Sequence, residues 1–191
     1  MDKTYADTVR LLLAVAPDVF ANDIFAMKGG TAINLFVRDM PRLSVDIDVV
    51  YLPWQTPRDE ALQAINQELA AIATRVAPLG VQTRLVRAKD LGDTKLIVEN
   101  DASQVKIEVN VVFRGSVLPV ERRPLSAKTS DLFGVEFELP VLAPDELYAS
   151  KLVAALDRQH PRDLFDVWQL YESGDISDGM VECFVIYLAG H

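Results

Sequence analysis

Between Met27 and Val50 the chain sets a glycine pair and a hydroxyl residue, Lys28-Gly29-Gly30-Thr31, ahead of a short alternating run, Ser44-Val45-Asp46-Ile47-Asp48-Val49-Val50. The apolar run Ile24-Phe25-Ala26-Met27 stops at the glycines, so a strand is expected to end there, and a helix to begin at or just after Thr31, a good N-cap residue. Strand, glycine turn and helix N-terminus together form an anion site, because free backbone N–H groups and the positive end of the helix dipole face whatever occupies the turn. Glycine also lets a phosphate come close to the backbone. A tight turn capped by Thr31 is the competing reading, and the spacing is not that of a P-loop.

Alternation in the next run puts Val45, Ile47 and Val49 on one face and Ser44, Asp46, Asp48 and Val50 on the other. Asp46 and Asp48 then stand on the same face, roughly 7 Å apart at the Cα level. Like charges at that spacing repel unless a cation neutralises them. Mg²⁺ suits such a pair, since it takes oxygen ligands, keeps waters, and is held by one or two carboxylates together with substrate phosphates. Two solvated aspartates at an exposed strand end would give the same pattern.

The rest of the chain supplies the frame. Helical spacing of apolar residues predicts a helix over Thr8 to Phe20 and an amphipathic one over Arg58 to Val76. Strand-like runs follow at Val81 to Val86, Lys95 to Glu99 and Gln104 to Phe113, the last two joined by a hairpin turn at Asn100-Asp101. In the third run Val105, Ile107, Val109 and Val111 alternate with Lys106, Glu108, Asn110 and Val112. Glu108 could supply a third carboxylate if its strand neighbours that of Asp46 and Asp48, and a solvated outer face is an equal reading. Residues 114–130 read as irregular surface with one short strand, and Val135 to Leu139 as a strand ended by Pro140. Thereafter the pattern is helical: Pro144 to Leu156, Pro161 to Tyr171, and an apolar run from Met180 to Leu188. Proline suits the first helical position of the first two. The shift near residue 140 divides the chain into a sheet-bearing part, 1–140, and a C-terminal helical subdomain, 141–191. Lys151 lies mid-helix, where it could as easily be solvated. Asp163 and Asp166 are three apart on one helix face, where they also complement the dipole.

Composition bounds the function. The chain has 191 residues, half of them hydrophobic, and a net charge of −9, which argues against charge-driven, non-specific nucleic-acid binding. The local basic groups, Arg84, Arg87 and Lys89, then Arg114, Arg122, Arg123 and Lys128, read as solvated surface. A single cysteine, Cys183, fits a reducing compartment and, within an apolar helix, a buried thiol. No apolar run approaches the ~18 residues of a membrane span, so a cytoplasmic location is expected. His160 and His191 are too few and too scattered for a histidine metal site, and no Ser/His/Asp arrangement is present.

Four fragments in order, Lys28-Gly29-Gly30-Thr31-Ala32, Arg42-Leu43-Ser44-Val45-Asp46-Ile47-Asp48, Glu146-Leu147-Tyr148-Ala149-Ser150-Lys151-Leu152 and Arg162-Asp163-Leu164-Phe165-Asp166-Val167, resemble the AbiEii/AbiGii toxin family, nucleotidyltransferases of the polymerase-beta-like superfamily. The resemblance runs from about Phe25 to Tyr171. It implies an α/β (α+β) fold, a mixed sheet flanked by helices and followed by a small C-terminal helical subdomain. It implies that Lys28, Gly29, Gly30, Thr31 and Ser44 belong to the nucleotide-binding motifs, that Asp46 and Asp48 are the paired metal-binding aspartates, and that Glu108 falls where a later strand brings a third carboxylate. Lys151 matches a lysine that reaches the nucleotide phosphates, and Asp163 and Asp166 match a downstream two-acid motif. The usual first motif carries Gly-Ser and a shorter interval to the paired acids than the stretch Ala32 to Val45 found here. Relatives often continue past the position of His191 with further helices, so the C-terminal subdomain is expected to be cut short.

The activity so implied is Mg²⁺-dependent transfer of a nucleoside monophosphate from a nucleoside triphosphate to an acceptor hydroxyl, with tRNA as acceptor, a protein hydroxyl as the second candidate, and a cognate antitoxin as partner. Two other readings use the same residues. One is a kinase-like phosphotransferase that moves the gamma phosphate, the other a nucleotide-binding module without turnover.

Overall fold

The computed structural model describes the chain except for residues 1, 89–91, 175 and 191. Lys89 and His191 therefore lie outside the described residues. The first helix, α1 (Lys3–Val19), starts where the Asp2 carboxylate accepts the Tyr5 backbone N–H. Strand β1 (Phe25–Lys28) leads directly into α2 (Gly29–Ala32), which continues as a π-helical turn over Ile33–Val37. Strand β2 (Ile47–Tyr51), helix α3 (Arg58–Val76), and strands β3 (Gln82–Ala88), β4 (Gly92–Glu99) and β5 (Gln104–Asn110) follow. After β6 (Glu121–Pro124), α4 (Ala127–Phe133) and β7 (Glu138–Val141), the chain is helical: α5 (Pro144–Arg158), α6 (Pro161–Ser173) and α7 (Asp178–Ala189).

The strands form one seven-stranded mixed sheet in the order β3-β4-β5-β2-β1-β7-β6. Pairing is antiparallel between β1 and β2, β3 and β4, β4 and β5, and β6 and β7, and parallel between β2 and β5 and between β1 and β7. The antiparallel β4–β5 pair is joined by a short turn, whereas α2 and the π-helical turn lie between β1 and β2, α4 lies between β6 and β7, and the parallel β2–β5 pair needs the long crossover that α3, β3 and β4 provide. Alternation on the central strands sends Ile47, Val49, Val105 and Ile107 into the core, where α3 contributes Ile65, Leu69 and Ile72 and α1 contributes Val9, Leu12 and Val19. Burial of these side chains, at about 1.5–3 kcal/mol each, fixes the register of the central strands and so the position of every polar residue between them.

Three local expectations differ. The strand expected from Ser44 begins at Ile47, because the lead-in is drawn toward the glycine turn by a hydrogen bond between the Ser44 and Thr31 hydroxyls at 2.9 Å. Within 114–130 a helix, α4, joins the one expected strand. Its Ser126 N-cap accepts the Thr129 N–H, a signal outweighed in the sequence by the helix's polar composition and short length. Pro140 lies inside β7 rather than ending it. It faces Arg122 of β6, and on the other side β7 touches β1 in register only at Met27↔Val141, so the missing N–H breaks no ladder with β1.

Candidate active site

The turn after β1 is shaped by what packs against it. Gly29 has φ +78°, in the left-handed region, and a side chain there would run into the Asp48 carboxylate. At Gly30 a side chain would meet the Arg42 guanidinium. Thr31 is 1 % exposed and sits within the first turn of α2 rather than before it, so its hydroxyl is spent on Ser44, not on capping. The glycines thus bring the backbone against one carboxylate and one guanidinium, both from the stretch that leads into and through β2.

The carboxylates come from adjacent strands. Lys28 pairs with Asp48 across β1–β2, and Asp48 pairs in register with Glu108 across β2–β5. Asp46 precedes β2, and Glu108 bonds Lys95 of β4 at 2.9 Å while remaining 43 % exposed. Burial, then the charge of Asp46, pushes the Asp48 carboxyl up to about 6; Lys28 and Lys151 oppose this and Glu108 adds to it. Burial lowers the Lys28 ammonium, with Asp48 and Glu146 pulling it back up. Among the described residues no three His, Cys, Asp or Glu side chains stand close enough together to enclose a metal ion by themselves. The donors that are present are hard oxygens that crowd one another. That suits a divalent cation which takes only one or two ligands from the protein and the rest from phosphate and water.

The cations of the site are organised from behind by α6. Lys151 of α5 is buried, with Nζ 2.9 Å from Asp163 Oδ1 and 3.3 Å from Asp166 Oδ2. Asp166 also accepts Nε and Nη2 of Arg42, both at 2.6 Å. Asp163 accepts Arg158 Nε at 2.6 Å and Nη2 at 3.1 Å. Burial works to raise the Asp163 carboxyl, but hydrogen bonds from Arg158 and Lys151 outweigh it and hold the group down at about 2. A further buried carboxylate, Glu146, accepts the backbone N–H groups of Val117 and Leu118 and the Tyr187 hydroxyl, tying α5 to α7 and to the segment before β6.

These walls enclose a cleft of about 700 Å³. Lys28, Gly29, Gly30, Asp48, Glu108 and Lys151, named from the sequence, all line it. Thr31, Ser44, Asp46, Asp163 and Asp166 are not among the residues that line it. Arg42 and Arg158 carried no role in the sequence reading. The available signal was indirect: two buried acids three apart on α6 must each find a cation, and lysine supplies only one. Glu146 was equally silent, since nothing in the sequence marks the backbone amides it accepts.

A mixed sheet carrying carboxylates on neighbouring strands beside a glycine turn, with helices packed after it, is the architecture of the nucleotidyltransferase fold. MenT4, a nucleotidyltransferase toxin from Mycobacterium tuberculosis H37Rv, superposes with a TM-score of 0.63 at 20% identity over 96% of this chain and 65% of that one. The chain thus spans 65% of the length of that protein. The antibiotic-resistance factor ANT(2'')-Ia superposes with a TM-score of 0.50 at 14% identity, over 99% of this chain and 94% of that one. A comparison with curated protein sequences gave no match. The family described as nucleotidyl transferase AbiEii toxin, type IV toxin–antitoxin system, matches residues 10–191, and the chain belongs to that family.

Proposed function

We propose that this protein is a Mg²⁺-dependent nucleotidyltransferase that moves a nucleoside monophosphate from a nucleoside triphosphate to an acceptor hydroxyl, with tRNA as the acceptor and release of pyrophosphate. The observation that carries this reading is the mixed charge of one cleft: Asp48 and Glu108 from adjacent strands, Lys28 beside Asp48, and Lys151 from α5 all line a space of about 700 Å³. Asp46 and Asp48 would hold Mg²⁺, which supplies charge neutralisation for the triphosphate and for the in-line displacement. Lys28 and Lys151 bind phosphate oxygens, and Gly29 and Gly30 let the phosphates approach the backbone. Glu108, exposed toward the cleft, accepts the proton of the acceptor hydroxyl. Thr31, Ser44, Asp163 and Asp166 hold these groups in place rather than touching the reacting atoms.

In this reading residues 1–140 form the catalytic domain and 141–191 a helical subdomain that completes the cleft. The family's type IV toxin–antitoxin description supports a cognate antitoxin as partner. No helix among the described residues is long and apolar enough to cross a membrane, and a tRNA acceptor places the reaction in the cytoplasm.

Incubation of total tRNA with alpha-labelled or gamma-labelled nucleotides tests the reading directly. Label from the alpha position should enter tRNA with the wild-type protein, while Asp48→Ala, folded by circular dichroism, should transfer none. Transfer of the gamma label would make the protein a phosphotransferase, and unimpaired metal-dependent transfer by Asp48→Ala would remove the assigned site.

A further inference from the structure

The salt-bridge network behind the cleft is unbalanced. Two carboxylates, Asp163 and Asp166, serve three cations, Lys151, Arg42 and Arg158. Lys151 and Arg42 are largely shielded, at 7 % and 11 % side-chain exposure, whereas Arg158 is 60 % exposed and lines the cleft. Arg158 is thus the cation of this network most exposed on the cleft, with Asp157 lining the cleft next to it.

The orientation of Arg158 is set as well. Its Nε and Nη2 are engaged by Asp163, a carboxylate that is itself 2 % exposed, so one edge of the guanidinium is fixed. Among the described residues Nη1 has no hydrogen-bond partner, so the outer edge of the guanidinium is left open on the cleft side. Lys151 and Arg158 are seven apart on α5, two turns along one face, and the same Asp163 holds both. Arginine held along one edge is suited to bind phosphate oxygens with the other. The field of Asp48 is felt at Arg158, which places the guanidinium within electrostatic reach of the carboxylate wall.

We infer that Arg158 binds the terminal phosphates of the nucleoside triphosphate, the pyrophosphate that departs, with Asp163 as its positioning residue. This rests on the nucleotidyltransferase reading above and adds to it a phosphate ligand separate from Lys151. Arg158 holds the beta and gamma phosphates, and Lys151, deeper in the cleft, lies on the path toward Asp48. Loss of Arg158 therefore weakens binding in proportion to the number of phosphates beyond the first.

The test is competition binding with Mg²⁺ present. Each of the four ribonucleoside triphosphates is titrated into the wild-type protein, and the one bound is compared with its own di- and monophosphate. Wild type should bind triphosphate most tightly and monophosphate least. Arg158→Gln should lose roughly ten- to a hundredfold in triphosphate affinity, the yield of one or two charge-assisted hydrogen bonds, with monophosphate affinity unchanged. Arg158→Lys, which keeps the charge without the two-edged geometry, should fall between the two. A thermal melt on each variant confirms the fold. An equal loss for all three nucleotides would show a structural role and overturn the inference, as would an unaltered triphosphate affinity in Arg158→Gln. Failure of the wild-type protein to bind any triphosphate would overturn the nucleotidyltransferase reading and the inference with it.

Discussion

A carboxylate that feels the charge of two others is ionised only against their fields and against its own burial, and Asp48, with Asp46 and Glu108 near it, is in that position. The sign of its effect on stability follows from linkage. Its carboxyl sits at about 6 in the fold against 3.8 ordinarily, so between those values the folded protein holds a proton that the unfolded chain has released. Stability therefore falls as pH rises through that window, by an amount on the order of 1–3 kcal/mol, and stays lower above it. Thermal melts should show Asp48→Asn without this fall and more stable than wild type above about pH 6.5. Millimolar Mg²⁺ should raise the wild-type midpoint at about pH 7.5 and much less at about pH 5, where the carboxyl is largely protonated. An Mg²⁺ effect of equal size at both values would mean that the ion binds elsewhere. Residue identities in this region were legible in the sequence: alternation put Asp48 on a polar face, and the glycine pair marked the turn it covers. That Glu108 stands opposite Asp48 was not legible, because it depends on β5 pairing parallel to β2, a partner choice made by the crossover through α3 and the β3–β4 hairpin rather than by either strand.

Helix α6 shows how one pattern can carry two meanings until its neighbours are known. In the sequence, Asp163 and Asp166 in the first turns of a helix suit the dipole as well as any site. In the fold both are buried, at 2 % and 3 %, and they bind Lys151 and Arg158 from α5 and Arg42 from the lead-in to β2. A dipole role would leave them on the surface at a few tenths of a kcal/mol. The clamp role makes α6 the element that fixes α5 against the glycine turn. Asp163→Asn leaves a buried lysine without its nearest charge partner, and removing one member of a buried pair costs about 3–5 kcal/mol. Urea unfolding at neutral pH should show a loss of that size for Asp163→Asn and less than about 1 kcal/mol for a substitution of the exposed Glu172 on the same helix. Near-equal losses would return the aspartates to a dipole role. Because the Asp163 carboxyl sits at about 2, its contribution is complete above about pH 4 and disappears only as pH falls through about 2, so the comparison is insensitive to buffer choice near neutrality. Arginine partners were the part hidden from the sequence. Arg42 follows a proline in a loop and Arg158 closes a helix, where a basic residue complements the dipole without any further role.

Over the whole molecule, the cleft is assembled from both ends of the chain. Lys28 and Asp48 come from the first pair of central strands, Glu108 from β5, Lys151 and Arg158 from α5, and Tyr187 from α7. Asp48, Glu108 and Lys28 are built into the sheet and Lys151 and Arg158 into the helix after β7, so neither half of the chain supplies the whole site. A Mg²⁺–triphosphate complex, whose cation suits the carboxylates of the sheet and whose phosphates suit the cations of both halves, should couple the two mechanically. Ligand present at a hundred times its dissociation constant stabilises the native state by about 2.7 kcal/mol. For a chain of this length that corresponds to a rise in melting midpoint of roughly 5–11 °C. Hydrogen exchange locates the same stabilisation. Protection should increase together in the turn after β1, in β2 and β5, and in α5 and α7, while β3, at the far edge of the sheet, stays unchanged. The omission of Mg²⁺ should remove protection from β2 and β5 first, since their carboxylates then face the phosphates with no cation between. Protection confined to the strands, with α5 and α7 exchanging as in the free protein, would mean that the helical wall takes no part in holding the triphosphate, and the two-walled site would have to be abandoned.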